Sequence, residues 1–129
     1  MLKQQFPAIS TIVINVNDKN TNVILGEKNY TVFGNGNITD ILCGVEIEIS
    51  PHSFYQVNHD GAQQLYAIAK ESLQLTSDDI LLDMYCGAGS IGLSMADKIK
   101  QLVGVEIVPQ AVENAKINAK KMGFDNARF

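Results

Sequence analysis

The sequence predicts a mixed α/β chain: a small antiparallel β meander over residues 1–50, then the first half of an open parallel sheet over residues 51–129. Three observations carry this reading. Short runs rich in β-branched residues, separated by turn residues, fill the first part. From residue 60 onward the apolar spacing lengthens to a helical period. A glycine-rich turn, Cys86-Gly-Ala-Gly-Ser-Ile-Gly92, then stands between two short apolar runs of the buried-strand kind.

In order, residues 10–16 (STIVINV) alternate as a strand, and residues 18–22 (DKNTN) form a turn. Residues 23–25 (VIL) make a short strand closed by Gly26, and residues 30–33 (YTVF) run into the turn signal of residues 34–37 (GNGN). Strands at 38–42 and 45–49 follow, ended by Pro51. A helix over 60–75 places Ala62, Leu65, Tyr66, Ala69 and Leu73 on one face. A strand over 80–82 ends at Asp83, and a helix from the glycine turn to about Lys98 aligns Ile91, Met95 and Ile99. The strand over 102–105 ends at Glu106. Pro109 suits the first turn of a helix whose apolar face is Val112, Ala115, Ala119 and Met122, and Gly123 is its natural stop. Residues 126–129 read as the start of a third strand.

Composition narrows the function classes. A chain with 46% hydrophobic and 19% charged residues is an ordinary globular protein. No apolar run reaches the length of a membrane span, and the N-terminus lacks the apolar core of a secretory signal, so the expected compartment is cytoplasmic. Cys43 and Cys86 form neither a C-x-x-C pair nor a disulfide framework. With net charge -4 and Arg128 as its single arginine, the chain has no basic stripe for phosphates. Any contact with RNA is expected mostly from segments outside it.

Gly87, Gly89 and Gly92 satisfy G-x-G-x-x-G, with the acid Glu106 after the next strand. The pattern fits an adenosine-type cofactor, a dinucleotide included, and it also fits a plain tight strand-to-helix connection. Charge separates the ligands. Asp83 precedes Gly87 by four residues, and no lysine or arginine lies between Glu71 and Asp97. A carboxylate beside two phosphates is repulsive by a few kcal/mol at short range. S-adenosyl-L-methionine carries a sulfonium and an ammonium and no phosphate, so Asp83 and Glu106 at successive strand ends favour it.

Ser53-Phe-Tyr-Gln-Val-Asn58, Leu82-Asp-Met-Tyr-Cys-Gly-Ala-Gly89 and Val103-Gly-Val-Glu106, in that order, resemble the RNA uracil-5-methyltransferase family. A looser match, N-x-x-x-T-N, runs from Asn17 to Asn22. The pairing of F-x-Q-V-N with Y-C-G is the specific part. The resemblance implies a truncated Rossmann-like methyltransferase sheet behind the meander, S-adenosyl-L-methionine as cofactor, and rRNA or tRNA as the partner of the parent enzyme. It also implies roles. Gln56 contacts the methionine end of the cofactor, Tyr85 and Ser90 line its pocket with Gly87 and Gly89, and Glu106 binds the ribose. Asp83 supports the loop or the cofactor's ammonium, while Phe54 and Asn58 hold the Gln56 segment; Phe54 and Tyr55 also read as ordinary core aromatics.

Members of that family methylate uridine C5 with a cysteine thiolate that adds to C6 and a carboxylate that removes the C5 proton. Their nucleophile lies downstream in an S-C-N-P-type motif, and a D-P-P-R-type motif and a C-terminal glutamate also follow. None of these is present, so no catalytic residue is expected in this chain and it is expected to be inert alone. Cys86 then reads as a small apolar filler, Cys43 as core, and His52 and His59 as surface or anchoring residues. Two other readings stand beside this one. One is a different S-adenosylmethionine enzyme, which leaves Gln56 unexplained. The other is a non-enzymatic module that forms a homodimer through the open sheet edge.

Overall fold

A computed structural model describes residues 2–20 and 22–129. Met1 lies outside the described residues, as does Thr21, which belongs to the turn expected over 18–22 and to the N-x-x-x-T-N match. The chain divides into two compact units, Met1–Ile38 and Thr39–Phe129.

The first unit holds a short helix α1 (Leu2–Gln5) and an antiparallel pair, β1 (Ile12–Val16) with β2 (Lys28–Phe33). Ile14 faces Tyr30 and Val16 faces Lys28, with an irregularity between Ile12 and Val13. The link between the strands is held by asparagine side chains. The Asn15 amide donates to the Gly26 carbonyl (2.8 Å) and accepts from the Gly26 N–H (2.7 Å). Asn17 donates to the carbonyls of Val23 (2.7 Å) and Ile24 (3.1 Å). Residues 23–25 are therefore not the strand that their β-branched character predicts. The Val23 and Ile24 carbonyls bond to the Asn17 side chain instead of a neighbouring strand, and all three residues are exposed.

The second unit opens with the hairpin of β3 (Ile38–Leu42) and β4 (Val45–Ile49). Its two-residue link, Cys43 (φ 52°) and Gly44 (φ 79°), puts both residues in the left-handed region that tight hairpins require. The strands of the first fifty residues thus form two separate pairs and not one continuous meander. Helix α2 (His59–Leu73) starts at Asn58, whose side chain accepts from the Gly61 N–H at 3.0 Å.

A parallel sheet of β5 (Ile80–Asp83), β6 (Gln101–Gly104) and β7 (Ala127–Arg128) follows, in that spatial order. Between β5 and β6 the predicted helix to Lys98 is broken. It consists of α3 (Ser90–Leu93) and a 3₁₀ turn at Ala96–Lys98. The Ser94 hydroxyl bonds the Ile91 carbonyl at 2.7 Å, and the Lys70 ammonium takes the Ser94 carbonyl at 2.7 Å, which uses up groups the helix would need to continue. Helix α4 (Pro109–Met122) has proline in its first turn and Gly123 (φ 72°) as its C-terminal stop, as the sequence predicts. Its buried face is Ala111, Asn114, Ala115, Asn118 and Ala119, so two asparagines stand where an apolar stripe is expected. Leu42, Ile47, Leu93 and Leu102, all within 1% of full burial, anchor the core.

Candidate cofactor-binding site

In an open parallel sheet ligands gather beyond the carboxyl ends of the strands. β5 and β6 pair with Asp83 opposite Gly104, so Glu106 lies two residues past its partner strand's last acid. The strand ends stay tied beyond the ladder. The Val105 N–H donates to the Asp83 carbonyl (2.8 Å), and the Cys86 N–H donates to the Val105 carbonyl (3.1 Å). The register therefore sets the two acids side by side.

The glycine loop fits between them. Glu106 accepts from the Gly87 N–H through Oε2 (3.0 Å), and from the Ile107 (2.8 Å) and Val108 (2.9 Å) N–H groups through Oε1. A carboxylate offers about four lone-pair sites. Three amides fix its orientation and leave acceptor capacity for a hydroxyl. Asp83 is half-buried, and among the described residues its Oδ2 is buried without a hydrogen bond of normal geometry. Burial pushes its carboxyl above the usual range; the backbone amides of Tyr85 and Gly92 pull the other way, and the Glu106 carboxylate adds to the rise.

The glycines divide by role. A side chain on Gly87 (φ 53°) would meet nothing within 4 Å, so its bare backbone faces open space. One on Gly89 (φ 84°) would press on Leu93 (3.1 Å) and Ala115 (3.3 Å), and one on Gly92 would press on Leu102 (2.8 Å). Gly89 and Gly92 are packing glycines, and Gly87 is the one a ligand can approach. Ser90 shares a hydrogen bond with the buried Tyr66 hydroxyl at 2.9 Å, which ties α2 to the loop. Nothing in the sequence announces that tie, because Tyr66 reads only as one apolar residue on a helix face. Tyr85 is 90% exposed just past β5, and Ile107 is 93% exposed just past β6.

Gln56 is half-buried in the segment that leads into α2. Phe54 is 75% exposed, which removes the core-aromatic reading for it, while Tyr55 is half-buried and donates to Asp40 (3.0 Å). His59 bonds the Ile41 carbonyl through Nε2 (2.8 Å), an anchor between α2 and β3. Cys86 is 4% exposed, and burial, with Asp83 and Glu106 nearby, pushes its thiol up to about 11. Cys43, directly after β3, is partly buried and packs against the core, and its left-handed φ is a requirement of the hairpin link.

Residues 75–129 match the family described as Methyltransferase domain. The chain is 44% identical over 128 residues to an uncharacterized RNA methyltransferase of Oceanobacillus iheyensis, covering 99% of itself and 28% of that protein. It is 41% identical over 129 residues to one of Clostridium acetobutylicum, again covering 28% of it. The chain thus spans little more than a quarter of the length of the curated relatives it matches. Among solved structures it resembles the Pyrococcus abyssi tRNA (uracil-54, C5)-methyltransferase in complex with S-adenosyl-L-homocysteine, with TM-score 0.75 and 26% identity, covering 97% of this chain and 31% of that one. By sequence along its length and by fold, the chain is similar to one segment of these methyltransferases.

Proposed function

We propose that residues 56–106 hold much of the binding site for S-adenosyl-L-methionine, and that the longer protein methylates C5 of a uridine in tRNA or rRNA. The observation that carries the site is the open backbone of Gly87 set beside Glu106, with Asp83 on the adjoining strand end. The donor supplies an electrophilic methyl group on a sulfonium. Glu106, oriented by its three amides, accepts from the ribose hydroxyls. Asp83 and Gln56 serve the ammonium end, and Tyr85 and Ser90 line the pocket. The absence of any lysine or arginine between residues 71 and 97 suits a cationic ligand and disfavours a pyrophosphate.

Likeness to the Pyrococcus abyssi enzyme over 97% of the chain supports uracil C5 as the target. Such chemistry reaches the ring from its face, so the base must leave its stack. Cys86 is not read as the nucleophile, because it is buried and its thiol is pushed up to about 11, which favours the unreactive protonated form. On this reading the chain alone binds the donor and methylates no RNA. Calorimetric titration with S-adenosylhomocysteine, with NAD as control, tests the site. Saturable binding lost in Glu106→Ala and weakened in Gln56→Ala is expected; preferential NAD binding would overturn the argument from charge. Methylation of RNA by this chain alone would sink the exclusion of Cys86.

A further inference from the structure

Helix α4 turns two asparagines into the core, Asn114 at 1% and Asn118 at 0% exposure. Burying an amide costs a few kcal/mol unless every bond is remade, so two of them one helical turn apart need an account. Their bonds converge on the two segments of the proposed site. The Asn118 amide donates to the Ala88 carbonyl at 3.0 Å, in the middle of the glycine loop, and accepts from the Glu48 N–H at 2.8 Å. The Asn114 amide donates to the Glu48 carbonyl and to the Ser53 hydroxyl, both at 3.2 Å, and accepts from Gln110 at 3.1 Å. Ser53, which also shares a 2.8 Å bond with Ser50, opens the segment that runs to Gln56.

From this convergence we propose that Asn118 and Asn114 are positioning residues for the methyl donor. Asn118 holds the loop that faces the donor's adenosine, and Asn114 holds, through Ser53, the segment that presents Gln56 to its amino-acid end. Both halves of the pocket are thereby referenced to one helix face. The inference rests on the donor-site reading above and adds to it two residues that touch no ligand.

The test compares two ligands on the full chain: S-adenosylhomocysteine, and 5′-methylthioadenosine, which keeps the adenosine and lacks the amino acid. Asn114→Ala is expected to weaken S-adenosylhomocysteine about five- to tenfold, the worth of roughly one hydrogen bond, while methylthioadenosine changes less than about twofold. Asn118→Ala is expected to weaken both. Ser53→Ala attacks the same tie from the loop side and, should Asn114→Ala not fold, must reproduce its pattern. A merely structural role would lower the melting temperature while leaving the ratio of the two affinities unchanged in Asn114→Ala and both affinities unchanged in Asn118→Ala, which would overturn the proposal. Amide exchange without ligand separates the two levels. Asn118→Ala should speed exchange of the Gly89 N–H, which bonds the Cys86 carbonyl at 2.8 Å, relative to the amides of β6. Unchanged relative exchange would remove the loop-holding role; accelerated exchange in a chain whose parent binds neither ligand would instead remove the donor-site reading.

Discussion

The β1–β2 pair and the β5–β7 sheet are both built from short strands, yet they differ in what holds them. In the first, β2 is exposed along its whole length, and the strands are joined by their ladder and by asparagine bonds at the link. In the second, Leu102 is fully buried and Gly104 is so close-packed that a side chain there would strike the Phe129 ring at 2.4 Å. Local sequence makes strands in both places; burial makes a core only where helices flank the strands.

The contrast can be broken most forcefully in the core. Leu102→Ala should cost about 2–5 kcal/mol in urea unfolding, whereas Val32→Ala on β2, 61% exposed, should stay within about 0.5 kcal/mol. Equal losses would show that β2 is buried in solution. Next comes the loop. Gly89→Ala combines left-handed strain with contacts on Leu93 and Ala115, and should cost about 2–3 kcal/mol. Gly87→Ala meets only the strain, about 1 kcal/mol, so its main effect should appear in S-adenosylhomocysteine affinity. A large stability loss at Gly87 would contradict its open setting. The smallest effect concerns the thiols. With its thiol raised to about 11 from an ordinary 9.0, Cys86 keeps its proton through neutral and mildly alkaline pH; what this contributes to stability is fully present below 9.0 and is lost as pH rises from there through about 11. Iodoacetamide at pH 8 should therefore label Cys43 well before Cys86, followed by mass spectrometry; prompt labelling of Cys86 would refute the filler reading.

Punctuation residues made much of the fold legible. Pro109 and Gly123 bound α4, and the acids after two apolar runs mark the strand ends. What stayed hidden depended on partners distant in sequence. Residues 23–25 look like a strand until Asn17 claims two of their carbonyls. The helix after Ser90 looks continuous until Ser94 turns back on Ile91 and Lys70 arrives from 24 residues away. Asn114 and Asn118 are missing from the apolar face expected of α4, and their bonds to Glu48, Ser53 and Ala88 allow them to be interior. For the site, the acids and glycines were readable as chemistry, while the ties that orient them, Tyr66 to Ser90 and Asn118 to Ala88, were not.

The break between α3 and β6 has a consequence for engineering and for divergence. Because the spacing of Asp83 and Glu106 is set by strand register, the exposed tip of the crossover from Ser94 to Lys100 does not set it. Asp97 and Lys98 lie exposed on its 3₁₀ turn. A peptide tag or a lineage-specific insertion at that turn would lengthen the crossover and leave the acid pair where it is, whereas a single residue added at Val105 would turn Glu106 away from the loop.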